Sequence, residues 1–288
     1  MQSIQPKHEQ VYSESRIVDI AFDNRDLDVE CGFLEHLSRN LGRGCLDSYV
    51  EICAAPGHHV HRFAARGVRS YATLCHSVML GYAEEKASRY GQPPTTPEAD
   101  EPSASRREMP PPARILLTDP HDFSLPEAVD LAFCPRGAFH YELTTEDALT
   151  HLVSVAKNLG RGGLYVLELD HPAVFFGQRP AVWEWEGERG GTRVRATRTL
   201  QVPKMNPLTQ ICDAELRFEV TRAPEESGQQ IARDVAPVRG YTHQELRTLV
   251  KQTGVFDWVA TFGDLSIAQP FDTSEEARIQ VPVLRCSV

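Results

Sequence analysis

The chain has 288 residues, 41% of them hydrophobic, which is enough to bury a full core as one large domain or one domain with an elaborated lobe. A formal net charge of −10 repels polyanions and argues against nucleic acid as a partner of the domain as a whole, with local patches such as Arg106-Arg107 set aside; a small-molecule substrate fits better. No apolar run approaches the roughly 20 residues that span a bilayer, and the polar start lacks a signal-peptide apolar region, so a soluble, cytoplasmic protein without a membrane partner is expected. Seven cysteines, several inside apolar strand patterns (Cys53, Cys134, Cys212), fit reduced core thiols better than a disulfide framework.

Residues 1 to 14 are polar and read as loose. From Ile17 to Leu41 the apolar spacing predicts a turn leading into an amphipathic helix that covers the sheet edge. Tyr49 to Cys53 is a short apolar run, Pro56-Gly57 breaks it, and Val60, Phe63 and Ala64 recur at helical spacing until Gly67. Tyr71 to Leu74 resumes as strand. A strand that feeds a helix through a glycine turn sets free backbone N–H groups and the positive helix end beside the turn, which is a cofactor cradle by geometry. Glu51, at the strand's carboxyl end, can accept hydrogen bonds from a ligand's ammonium or hydroxyl groups. Any βα unit of an α/β protein offers the same turn.

Met79 to Tyr90 reads as a helix. Gln92 to Ala113 is proline-rich and poor in apolar residues, so it reads as a mobile surface insertion, with a docking segment as the alternative. Arg114 to Leu117 and Val129 to Phe133 read as strands, the second fully apolar as in buried parallel sheets. A helix from Thr145 to Asn158 follows, then a strand from Leu164 to Leu169. From Phe175 to Arg239 the composition changes: Trp183 and Trp185 precede alternating runs at 193–201 and 214–221, a small antiparallel insertion that could roof a site. The two tryptophans serve equally as rim aromatics or as packing under this lobe. Thr242 and Glu245 are spaced as a capping box, and strands at 255–262 and 278–285 would complete a seven-stranded mixed sheet.

Several of these segments carry a family resemblance. Val50-Glu-Ile-Cys-Ala-Ala-Pro-Gly-His-His59 resembles the first motif of class I S-adenosylmethionine-dependent methyltransferases, especially the bacterial small-molecule group with Leu-Glu-Leu-Ala-Cys-Gly-Pro-Gly-Arg-His. His76-Ser-Val-Met79-Leu-Gly-Tyr-Ala83, Asp119-Pro-His-Asp122-Phe123, Val129 to Cys134, Thr145-Glu-Asp-Ala148 and Asn158 to Glu168 resemble its later segments, so that most of residues 15 to 286 is covered. The resemblance implies a Rossmann-like α/β fold with helices on both faces of the seven-stranded sheet, a single domain over 1–288 with a β lobe at about 173–239, and S-adenosylmethionine as cofactor. It implies that Val18 to Phe22 and Arg25 to Glu30 close over that cofactor. Glu51, Cys53, Ala55, Gly57, Leu74, Cys75, Asp119, His121 and Cys134 would then flank it, Asp119 accepting from the adenine amino group. His140 is the expected general base, with Tyr141 beside it, and Arg136, His171, Trp183 and Trp185 are expected at the substrate.

The departures matter as well. The second strand of the family ends in a carboxylate that takes both ribose hydroxyls, and this chain has Leu74 there; the lost charge-assisted hydrogen bonds predict roughly 10–100-fold weaker cofactor binding. Val18 replaces a tyrosine, Ala54-Ala55 replaces Cys-Gly, His58 replaces arginine, and Gly137-Ala138 replaces Asp-Ser. Two readings follow: methyl transfer from S-adenosylmethionine to a small-molecule N, O or C nucleophile, or a pseudo-methyltransferase that keeps the scaffold for binding, for a homodimer or hetero-partner, or for a reaction without a methyl donor. His76, His121 and His140 each follow a strand's carboxyl end and could ligate a metal or supply a base, or be unrelated loop histidines; no metal site is assigned.

Overall fold

The computed structural model describes residues 9–54, 56–90, 112–222 and 228–288. The expectations placed on residues 1 to 8, on Ala55 and on nearly all of the 92–113 insertion lie outside the described residues.

Three helices open the chain: α1 (Glu9–Ser13), α2 (Ser15–Ala21) and α3 (Leu27–Leu41). The last starts where the Asp26 side chain accepts from the Asp28 and Val29 N–H groups. Then β1 (Ser48–Glu51), α4 (His58–Ala65), β2 (Arg69–Leu74), α5 (Ser77–Tyr90), β3 (Arg114–Leu117), β4 (Val129–Cys134), α6 (Thr145–Lys157) and β5 (Leu159–Leu167) alternate. After the two-residue β6 (Leu169–Asp170) and the one-turn α7 (Pro172–Phe175) come β7 (Val182–Arg189), β8 (Thr192–Leu200), β9 (Ile211–Arg222) and β10 (Gln229–Arg239). Helix α8 (His243–Thr253), opened by the Thr242–Glu245 capping box, and strands β11 (Phe256–Phe262) and β12 (Ile279–Cys286) finish the chain.

The main sheet runs β11-β12-β5-β4-β1-β2-β3, with β6 paired to β12. Strands β5, β4, β1, β2 and β3 are parallel, and β12 is antiparallel to both of its neighbours. The mixed sheet expected from the sequence is present. Central strands read as apolar runs because both faces are covered: Leu152, Val155, Leu246 and Leu249 pack on one face, Phe33, Leu37, Val60 and Phe63 on the other. The exception inside β4, Asp130, accepts from Ser48 N–H and Ser48 Oγ at 3.0 and 2.8 Å and locks the register of β4 against β1.

Strands β7 to β10 form a separate antiparallel sheet in chain order. Its inner face, with Val194, Ala196, Phe218 and Val220, buries apolar residues of α1 and α2. Gly187 of β7 makes this contact: a Cβ there would stand 1.8 Å from the Ile20 carbonyl oxygen, so only glycine lets α2 approach.

Candidate functional site

A cavity of about 240 Å³ opens beyond the carboxyl ends of β1, β4 and β5, where open α/β sheets bind ligands. Its walls come from Phe22 and Arg25, from Glu51 and Cys53, from His58 and His59, from Arg136 and Tyr141, from Glu168 and Asp170, and from Trp183, Trp185 and Arg198 of the lobe. Three described residues other than glycine have left-handed φ, and two of them, Cys53 and Arg136, both at +55°, line this cavity. Such a conformation costs a side-chain-bearing residue about 1–2 kcal/mol. Strain of this kind is retained where the surrounding structure serves a site.

The floor is a chain of buried charges. Glu51 accepts from the Val60 N–H at 2.9 Å, at the first turn of α4, and His59 Nδ1 stands 3.7 Å away. Burial alone would raise the Glu51 carboxyl, but His59 and the backbone bond outweigh it and hold it below its ordinary value. His59 Nε2 is 2.7 Å from Glu30 Oε2, and the two carboxylates overcome burial and raise the imidazole. Glu30 also pairs with Arg25, which donates to Glu168 Oε1 at 2.8 Å; Glu168 Oε2 accepts from the Arg136 backbone N–H at 2.9 Å. The Arg136 guanidinium lies over the Phe22 ring at 4.7 Å and donates to two neutral acceptors, the Phe22 carbonyl and Asn24 Oδ1. Burial, with Arg25 nearby, pushes it down to about 10.

A second buried carboxylate backs His58 of the cavity wall. Asp19 accepts from His58 Nε2 at 2.7 Å, Tyr82 Oη at 2.7 Å, Lys86 Nζ at 2.5 Å and Arg189 Nη1 at 2.5 Å. These donors outweigh its burial and hold it far below the carboxylate range. Because Asp19 is therefore ionised, His58 Nε2 donates; burial keeps the ring neutral, which leaves Nδ1 as its acceptor. The lobe is tied down by Arg198, which donates to both Asp170 oxygens at 2.9 and 2.8 Å and lies 4.9 Å over Trp183.

No family model and no curated protein matches the chain, but many solved structures do. An S-adenosylmethionine-dependent methyltransferase from Clostridium acetobutylicum superposes with a TM-score of 0.67 at 13% identity, over 93% of this chain and 94% of that one. DesVI of Streptomyces venezuelae gives 0.67 at 17% over 94% and 97%. CalS10 of Micromonospora echinaspora, an amino pentose methyltransferase solved with bound S-adenosylmethionine, gives 0.62 at 16% over 98% and 99%. The fold is that of the S-adenosylmethionine-dependent methyltransferases. At these identities the likeness is one of architecture.

Within this methyltransferase fold the expected site residues divide into groups. Glu51, Cys53, Arg136, Tyr141, Trp183 and Trp185 line the cavity together. Gly57 sits at the turn with φ +66°, and an added Cβ would press Val60 at 3.1 Å. Leu74 is 2% exposed and packs with Val11, Ile17 and Met79, so the end of β2 is sealed by α1 and α2. Cys75 stands beside Cys53, and Cys134 is fully buried in the core.

Asp119 and His121 lie outside the cavity lining. His121 Nδ1 is 2.6 Å from Asp119 Oδ1 and its Nε2 2.6 Å from Glu142 Oε2, while Glu142 Oε1 meets His151 Nδ1 at 2.8 Å and His151 Nε2 meets Tyr165 Oη at 2.7 Å. Hydrogen bonding to Glu142 raises His121 to about 9.

Besides Leu74, Cys75, Asp119, His121 and Cys134, expected to flank the cofactor but standing off the cavity lining, two histidines need correction. His140 is fully buried, its Nδ1 donates to the Arg239 carbonyl at 2.8 Å, and its Nε2 accepts from the Asp170 N–H at 3.0 Å; both nitrogens are used, so it offers no lone pair to a substrate. His171 caps α7 through Nδ1, donates from Nε2 to the Asp272 carbonyl, and does not reach the cavity wall. Nor do His76, His121 and His140 converge: His76 stacks on Tyr12 at 4.1 Å between ring centroids, and the others are bonded as above. Sequence reasoning passed over Glu168, Asp170 and Arg198 as site residues, whereas Arg25 lies in the segment expected to close over the cofactor. Glu168 and Asp170, at the end of the fifth strand, carried a usable signal; the lobe's Arg198 carried none.

Proposed function

We propose that this protein transfers a methyl group from S-adenosylmethionine to a small molecule inside the β1/β4/β5 cavity. The observation that carries the reading is the strand–turn–helix floor of that cavity, with a buried carboxylate at the strand end and strained residues at two of its turns, roofed by an aromatic lobe. The fold comparisons support it.

The donor set fits the amino-acid end of such a cofactor. Carboxylates of Glu51 and Glu168 would meet an ammonium group, and Arg25 and Arg136 a carboxylate, while Trp185 offers an aromatic surface, the Phe22 and Trp183 rings already carrying Arg136 and Arg198. The ribose end is poorer, because Leu74 brings no acceptor and is sealed by packing. The residues therefore fit the cofactor with reduced affinity. Bound S-adenosylmethionine supplies an electrophilic methyl carbon, so the chain's task is to align a nucleophile and take its proton. His58, neutral and oriented by Asp19, is the cavity residue suited to that proton, in place of His140. The Tyr141 hydroxyl, pushed up to about 12 by burial, stays protonated and serves as a positioning group.

The sealed Leu74 position favours a second reading, a scaffold that has given up the cofactor. Incubation with methyl-labelled S-adenosylmethionine and a panel of small amines, alcohols and carbon acids separates the two. Labelled product from at least one acceptor is expected; cofactor that binds yet never gives up its label would sink the proposal.

A further inference from the structure

Cys53 and Cys75 stand apart from the other cysteines. Their sulfurs are 3.1 Å apart, and both side chains are partly exposed. Cys31, Cys134, Cys212 and Cys286 are buried singly, and Cys45 is exposed. The pairing follows from the sheet. Glu51 of β1 is the register partner of Ala72 of β2, so residues two and three positions past that pair leave adjacent parallel strands side by side. Such strands lie about 4.8 Å apart, inside the span of about 4.4–6.8 Å between the Cα atoms of a disulfide.

Local bonds hold the two turns in this arrangement. The Cys53 N–H donates to Thr73 Oγ1 at 3.0 Å, and the Ala54 N–H donates to the Thr73 carbonyl at 2.9 Å. The left-handed φ of +55° at Cys53 turns the chain here at a position where a side chain is costly, yet the side chain is present and its sulfur meets the neighbouring strand's. A bond of about 2.05 Å needs the sulfurs to close by only about 1 Å.

We propose that Cys53 and Cys75 are a reversible modification site, a dithiol with Cys53 in the cavity wall and Cys75 beside it, that low-molecular-weight disulfides oxidise to an intrachain disulfide. One thiolate attacks the small disulfide and forms a mixed disulfide, releasing one small thiol. The second thiolate then displaces the other small thiol and leaves Cys53 Sγ bonded to Cys75 Sγ. Two protons leave the protein thiols and end on the two small thiols, and an excess of small thiol runs both steps backwards. The chemistry of the pair does not depend on the methyl-transfer reading. Its consequence for ligands does: Cys53 lines the cavity, so a bound ligand shields it.

The test uses the full chain carrying Cys45→Ser, equilibrated over a range of oxidised to reduced glutathione ratios, alkylated under denaturing conditions and weighed intact. The oxidised form is expected to take up two fewer alkyl groups than the reduced form, without a glutathione adduct, and to yield one linked pair of peptides containing Cys53 and Cys75. Cys53→Ser and Cys75→Ser should each abolish the link, and excess dithiothreitol should restore full alkylation. A stable glutathione adduct, a dimer, or a link that survives either substitution overturns the proposal. Saturating S-adenosylhomocysteine should slow disulfide formation severalfold. An unchanged rate with the disulfide still forming counts against the assignment of the cavity to the cofactor and leaves the dithiol standing.

Discussion

His58 shows how far a residue's role depends on its neighbours. It replaces an arginine of the resembling motif, and only the structure reveals that Asp19, from a helix nearly forty positions upstream, orients it. His58→Gln keeps a donor at the Nε2 position for Asp19 and removes the basic ring nitrogen. The expected result is a loss of about 100-fold or more in kcat/KM, with S-adenosylhomocysteine affinity within about threefold. Because burial holds His58 below its ordinary value, wild-type kcat/KM should be level from pH 7 upward and fall only as the ring protonates below about pH 6.5; a fall centred at pH 8 would exclude it as the base.

His121 makes a stability prediction of the opposite sign. Its bonds to Glu142 and Asp119 raise it from 6.5 to about 9, so the stability it contributes is full below pH 6.5 and disappears as pH rises to 9. Glu142, held down to about 2 by His121 and His151 against its own burial, contributes above pH 4.5 and loses that contribution as pH falls toward 2. Urea unfolding of His121→Gln should show about 1–2 kcal/mol less stability than wild type at pH 6, after screening at this part-exposed site, and little of the difference at pH 9.5. An equal deficit at both pH values would contradict the assignment. Asp119, two residues away, was within reach of spacing, but Glu142 and His151 arrive from a different strand–helix unit.

At the scale of elements, caps and turns were the most readable features. Thr242 with Glu245, and Gly57, sit where their side-chain chemistry or positive φ predicts. Cys53 was less so: it reads as the last residue of an apolar strand, whereas β1 ends at Glu51 and Cys53 turns left-handed, because hydrophobic patterning does not report φ. The lobe was recognisable as antiparallel from its alternation, but its attachment was not. That attachment rests on Arg198 with Asp170, and on Arg189 with Asp19 and Asp23. Arg198→Met leaves Asp170 without its cation in a largely buried setting, at a cost of about 3 kcal/mol. Hydrogen exchange should then quicken across residues 182–239 more than across β1, β4 and β5; uniform quickening would mean that the pair stabilises the whole chain rather than docking the lobe.

For the whole molecule, the parallel sheet was legible because each strand is an apolar run punctuated by a glycine or capping residue, and the run order repeats a βα rhythm. The cavity's contents were legible only in part. Motif residues on strand ends located its floor, while its lobe wall and the closure of Leu74 by α1 and α2 arise from packing between segments far apart in sequence. That closure sets the central prediction, a cofactor held at its amino-acid end and loosely at its ribose. Calorimetric titration of the reduced chain with S-adenosylhomocysteine tests it most directly. The account predicts one saturable site per chain, with a Kd of about 10–100 µM, the weakening expected when a micromolar cradle loses its ribose carboxylate. No heat of binding at millimolar ligand would contradict it, and the cavity would then belong to some other small molecule.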